Sequence, residues 1–179
     1  MIEIRRAHSG DAAAIGAVHV AAWRSAYPGI LPEHVLTRLS ATRQAGYYDG
    51  MIRAGVGVHV ACAGPRVVGF VSGAVSARKP DRFAPADGEI ETLYVLDDWR
   101  ERGLGRGLMH AAATHLALAG CASVFLWVLR DNPSRWFYER LGGKPSADSM
   151  TEVGGIAVPQ RAYVWSPIET LARATSGAA

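Results

Sequence analysis

Cysteine is scarce in this chain, with two in 179 residues. Cys62 and Cys121 form no C-x-x-C pair, and both sit in apolar surroundings, "HVACA" and "AGCASVFLW". That leaves no disulfide framework to read, and it predicts two buried thiols in a reducing compartment. No apolar run is long enough to span a bilayer. The opening "MIEIRRAHSGD" is charged early and has no apolar signal-peptide core, so a cytoplasmic location with no membrane partner is expected. Lysine-rich runs with interleaved aromatics are absent too, and with them the usual mark of a nucleic-acid track. The net charge of +3 is mildly basic and suits a small anionic ligand. His19, His34, His59, His110 and His115 show no H-x-x-x-H spacing and no neighbouring ligand cluster, so no metal is expected. There is no G-x-S-x-G turn for a hydrolase nucleophile.

What is present suits one domain with a substantial core, since 49% of the residues are apolar. "MIEIRRA" alternates and reads as a strand. A helix follows over "AAAIGAVHVAAWRSAY" and is broken at "PGILP". A short helix starts from Pro32, and another is capped by Thr42. "VGVHVACA" and "RVVGFVSGAVSA" flank Gly64-Pro65 as a hairpin. After the loop "RKPDRFAPADG" come a strand "EIETLYVL", a long helix, the apolar strand "SVFLWVL" and a short helix "NPSRWFYERLGG". Strands near 149–154 and 160–166 complete the order. Ser166-Pro167-Ile168-Glu169 has the capping-box pattern for a terminal helix. The expected division is residues 1–168 as one domain and 169–179 as a helix or tail. Hairpins first and one strand–helix–strand crossover later describe an α/β protein with a mixed sheet.

The most informative stretch is "WRERGLGRGLMHAAATHLALAG". Gly103, Gly105 and Gly107 stand on alternate positions at the mouth of a helix, edged by Arg100, Arg102 and Arg106. A helix N-terminus has N–H groups without internal partners and partial positive charge. Glycines let a ligand touch that backbone, and the arginines add charge. The predicted result is an anion cradle from Arg102 to Gly107, Leu104 included, suited to phosphate. No Lys-Ser/Thr follows, as a P-loop would need, and the spacing is G-x-G-x-G rather than the dinucleotide fingerprint.

Arg100 to Gly105 reads R-x-x-G-x-G, and here the sequence resembles the GCN5-related N-acetyltransferases. "EIETLYVLDDWRERGLGRGLM" is similar to that family's strand, loop and helix, and "NPSRWFYERLGG" to its second motif. The Asn132-to-Tyr138 spacing is one residue shorter than the family's commonest form. The resemblance implies a central mixed sheet of six to seven strands flanked by helices. It implies acetyl-CoA as cofactor, transfer of acetyl to the primary amine of a small molecule or peptide, and direct attack in a ternary complex. Leu93, Tyr94 and Val95 would pair with the pantetheine arm, and the Leu93 N–H would face the thioester carbonyl. Asn132 and Tyr138 would also lie at the cofactor, with Tyr138 protonating the departing thiolate. Glu89 matches the position of the family's base. Glu91, two residues along and on the same face by alternation, is the second choice or an acceptor contact. Trp23 and Tyr27 share a helix face and, with "RKPDRFAPADG", are candidates for the acceptor groove. A homodimer is compatible with this reading, as is a CoA-binding module without turnover or a protein N-terminal or lysine acetyltransferase.

Overall fold

The structure, a computed structural model, describes residues 1–76 and 83–177. Seven strands form one sheet in the order β1-β2-β3-β4-β5-β7-β6, in agreement with the expected mixed α/β architecture. β1 (Ile2–Arg6), β2 (Gly57–Ala63), β3 (Arg66–Val75) and β4 (Gly88–Val95) are mutually antiparallel in sequence order. The β2–β3 turn falls at Gly64, whose φ of 57° is left-handed and is easiest for glycine. β4 and β5 (Val124–Leu129) are parallel neighbours. Helix α4 (Leu104–Leu118) connects them as the crossover that parallel strands require. β6 (Lys144–Val153) and β7 (Ile156–Trp165) form a hairpin, with β7 against β5 and β6 at the edge.

Helices cover both faces. On one lie α1 (Ala12–Ala26) and α3 (Ala41–Arg53), burying Ile15, Val18 and Tyr48 against Val58, Val60 and Phe70. A Cβ at Gly16 would stand 2.4 Å from the Ala41 carbonyl oxygen and 2.7 Å from the Ala45 nitrogen, so the α1–α3 crossing requires glycine there. On the other face α4 and the terminal α6 (Glu169–Thr175) bury Leu108, Met109, Leu116 and Leu171 against Val68, Val71, Ile90 and Val124. Both cysteines are buried free thiols, and burial pushes their pKa values up. The short α2 (Glu33–Thr37) and the segment before it place Leu31, Val35 and Leu36 against Tyr27 and Val158.

Three local expectations are corrected. Ser40, not Thr42, caps α3, and its hydroxyl accepts from the Arg43 N–H at 3.2 Å. α6 starts two residues later than the capping-box pattern suggests, with Ile168 at the cap in place of Ser166 and no side-chain cap bond. The last two strands are longer than 149–154 and 160–166. β6 is a mostly exposed edge strand, so burial imposes no apolar alternation on it that a sequence pattern could register.

Candidate active site

The site grows from a failure of two strands to stay together. β4 and β5 pair only at Gly88–Val124 and Glu89–Phe125 among the described residues. β4 continues six residues further, to Val95, without another pairing to β5. The strands diverge from Glu89 onward and leave a cleft of about 1360 Å³, walled by residues 89–95 of β4 and 126–129 of β5. Peptide groups along such an edge call for a hydrogen-bonding partner once water is displaced.

β4 also carries a bulge. Ser72 pairs with Thr92 and Gly73 with Ile90, so Glu91 is the inserted residue. Simple alternation would group Glu89 with Leu93. The bulge breaks that: Glu89 pairs with Ala74, two residues from Ser72 and so on the face of Thr92, while Ile90 and Leu93 face the α4 core. Glu89 and Glu91 nevertheless both line the cleft. Glu89 is 9% exposed and sits at the last paired position before the strands part.

Behind the bulge lies a buried polar chain. His19 Nδ1 and the Tyr48 hydroxyl are 2.8 Å apart, and Ser72 Oγ and Thr92 Oγ1 are 2.6 Å apart. Burial drives the Tyr48 pKa up, and hydrogen bonding to Thr92 partly opposes this. Burial drives the His19 pKa down to about 4, so its ring is neutral at pH 7. The His19 ring stacks on Trp23 at 5.1 Å and meets Tyr94 edge-on. These four polar residues come from α1, α3, β3 and β4, and no local sequence signal connects them.

At the other end of the cleft, Gly103 caps α4 in the left-handed conformation, with φ of 79°. A Cβ there would meet nothing within 4 Å, so the dihedral is what demands glycine. At Gly105 it would stand 3.3 Å from Phe137 Cζ, so the demand is for space. The Gly107 N–H donates to the Gly103 carbonyl at 3.0 Å. It therefore belongs to the helix ladder, and the groups ahead of the first internal bond are those of Leu104, Gly105 and Arg106. Within the expected span from Arg102 to Gly107, the Gly107 N–H is thus already engaged in the helix. The side chains differ as well. Arg100 and Arg106 line the cleft, with Arg100 held by Asp97 at 2.9 Å. The Arg102 guanidinium does not line the cleft but lies over the ring of Trp99, which does, at 5.0 Å. Leu104 buries its side chain in the core and has only its backbone to offer.

The far wall is formed by the β5–α5 loop and α5 (Arg135–Arg140). Asn132 is buried, accepts from the Ser134 N–H at 2.9 Å and donates to the Tyr27 hydroxyl at 3.3 Å. Its visible work is to shape this turn and tether Tyr27. Tyr138 is 8% exposed, packed among Phe137, Tyr163 and Trp165, and lines the cleft. Burial holds its pKa well above the ordinary phenol value, so the proton stays on at neutral pH. Trp23 and Tyr27 meet edge-to-face at 5.0 Å and line the cleft beside Tyr94. Residues 78–82 of the candidate segment "RKPDRFAPADG" lie outside the described residues, whereas Phe83 reaches the cleft rim.

The fold and this split-strand cleft define a class of transferase, and comparison with known proteins agrees. Residues 19–143 match the sequence model of the Acetyltransferase (GNAT) family. The chain belongs to that family and is an acetyl-CoA-dependent acyltransferase. It is 29% identical to the Bacillus subtilis "Uncharacterized N-acetyltransferase YuaI" over 96% of each chain. Among solved structures it superposes on PaiA N-acetyltransferase from Thermoplasma acidophilum, in complex with coenzyme A, with a TM-score of 0.65 and 17% identity. That match covers 90% of this chain and 98% of the other. The YncA structure from Salmonella typhimurium, with its cofactor acetyl-CoA, gives a TM-score of 0.66 at 17% identity, covering 92% and 93%. No helix among the described residues is long and apolar enough to cross a membrane.

Proposed function

We propose that the protein moves an acetyl group from acetyl-CoA to a primary amine by direct attack within a ternary complex. The observation that carries this reading is the parting of β4 from β5 at Glu89, with the α4 mouth at one end of the opening and Tyr138 on its far wall. The residues present suit the donor. The N–H groups of Leu104, Gly105 and Arg106, with the guanidinium groups of Arg100 and Arg106, would hold its diphosphate. The open edge of Leu93, Tyr94 and Val95 would bond its amide-bearing arm as a strand is bonded, with the Leu93 N–H as oxyanion donor. Acetyl-CoA supplies an activated thioester.

The protein's own groups would then manage two protons. A free alkylamine has a pKa near ~10 and must lose a proton to attack. Glu89, at the apex of the gap, would take that proton directly or through a water, with Glu91 as the alternative. As the carbon–sulfur bond breaks, the Tyr138 hydroxyl would donate to the departing thiolate. Burial keeps the phenol protonated at neutral pH, and its raised pKa limits the driving force of the transfer, so the contribution of this acid is modest.

The test is acetyl-CoA consumption with a panel of amines, alongside calorimetric titration with CoA. Binding and amine-dependent thiol release are expected together. Binding without turnover of any amine would favour a sensing module. A co-crystal with the diphosphate away from residues 104–106 would remove the basis of the assignment.

A further inference from the structure

Seven large apolar side chains are exposed among the described residues, and three of them, Tyr47, Phe83 and Met150, line this one cleft. They are 54%, 68% and 61% exposed. Scattered exposed apolar residues need no explanation, but a gathered set marks a surface that a ligand covers. The three come from α3, from the segment entering β4 and from β6, so the chain brings them together only by folding. Two observations place carboxylates in the vicinity of Tyr47 and Met150. Tyr47 packs edge-on against Tyr48 at 5.2 Å, and the Tyr48 hydroxyl is hydrogen-bonded to Thr92, the residue next to Glu91 in the β4 bulge. Met150 neighbours Glu152 on the same strand, and both line the cleft. The cleft lining thus carries Arg100 and Arg106 with Glu101 at the α4 mouth, Glu91 and Glu152 in the vicinity of Tyr47 and Met150, and Phe83, Trp23 and Arg140 elsewhere in the wall.

On the reading that this is an acetyltransferase, we infer that the acceptor is a monocationic primary amine carried a few bonds from an aromatic ring. Glu91 and Glu152 complement the ammonium group before it loses its proton. The ring is covered by Tyr47, Phe83 and Met150, where aromatic and thioether contacts are favourable. A polyamine or an aminoglycoside would satisfy the carboxylates and leave the apolar rim wet. The same chemistry occurs in a free arylalkylamine and in a peptide whose first residue is aromatic.

The test uses the full chain with acetyl-CoA and four probes: phenethylamine, a tetrapeptide beginning with phenylalanine, spermidine and kanamycin. At least a tenfold higher kcat/KM is expected for phenethylamine or the tetrapeptide, and the faster of the two identifies the source. Equal or faster turnover of spermidine or kanamycin would overturn the inference while leaving acetyl transfer intact. Phe83→Ser and Met150→Ser alter exposed positions, so folding is not at risk. Each is expected to raise KM for the better aromatic probe about tenfold with KM for acetyl-CoA unchanged. An unchanged aromatic KM in both variants would also overturn it. Should no amine be turned over, the acetyltransferase reading fails instead. Calorimetry on the CoA-bound protein then decides the acceptor question, with tighter phenethylamine than spermidine expected and the reverse order refuting it.

Discussion

Replacing Tyr138 with phenylalanine removes one oxygen atom from the wall of the cleft and little else. The ring stays packed among Phe137, Tyr163 and Trp165. Among the described residues no group hydrogen-bonds the hydroxyl, so no buried partner is orphaned by its loss. An unpartnered buried hydroxyl costs about 1–3 kcal/mol. Because this one lines an open cleft and keeps some access to water, the saving on its removal is at the low end, about 0–1 kcal/mol. For a chain of this size that is a rise in Tm of about 0–4 °C. The proposed proton donation is worth more. Loss of a general acid typically costs 10²–10⁴-fold, and with a thiolate as a fairly good leaving group the lower figure applies, about 10²-fold in kcat or ~2.7 kcal/mol. The variant should be as stable as the parent or slightly more so, bind acetyl-CoA within about threefold of the parent, and turn over about 10²-fold more slowly. Calorimetric melting, titration with CoA and a thiol-release assay read the three quantities. A rate within twofold of the parent would show that the oxygen has no part in chemistry, and a Tm several degrees lower would show a structural role instead.

Three further outcomes are expected. Glu89→Gln should lower kcat/KM by about 10²-fold or more and change its pH profile; an unaltered profile would move the base to Glu91 or solvent. Gly16→Ala drives a Cβ to 2.4 Å from backbone at Ala41, so overpacking of about 3 kcal/mol less a helix-propensity gain of about 1 should leave a net loss of ~2 kcal/mol in urea unfolding; an unchanged midpoint would mean that α1 and α3 separate freely. His19 has a folded pKa lowered from 6.5 to about 4, so the unfolded chain binds the extra proton first on acidification. Its contribution is complete above pH 6.5 and declines as pH falls toward about 4, reaching a loss of about 2 kcal/mol at pH 5. The His19→Asn variant should lack this slope, and parallel pH–stability curves for the two proteins would contradict it.

The local parts of this architecture could be read from sequence because their causes are local. Gly64-Pro65 has to turn, "SVFLWVL" has to be covered on both sides, and Gly103 with Arg100 and Arg106 marks a helix mouth wherever it stands. The finer assignments there depended on neighbours. Arg102 resembles its two companions in sequence and differs only because Trp99 lies beneath it. Gly107 looks like the third cradle glycine, yet its N–H completes the first helical bond. The His19–Tyr48 contact joins residues 29 positions apart, and the bulge at Glu91 is defined by a mismatch with β3. Neither has a pattern of its own in the chain. The bounds of β6 leave little trace in the sequence, since an exposed polar edge strand lacks the apolar alternation that marks its neighbours.

The two-rung seam between β4 and β5 has a mechanical meaning. β1 to β4 form one panel and β5 to β7 another, and among the described residues strand pairing joins the panels at one end only. A molecule that laces into the open side from Leu93 to Val95 acts as a missing rung and ties the panels from within. Occupancy should therefore stiffen the whole sheet. Slowed amide exchange would extend past the contacting peptides into β5 and β7, strands that belong to the opposite panel.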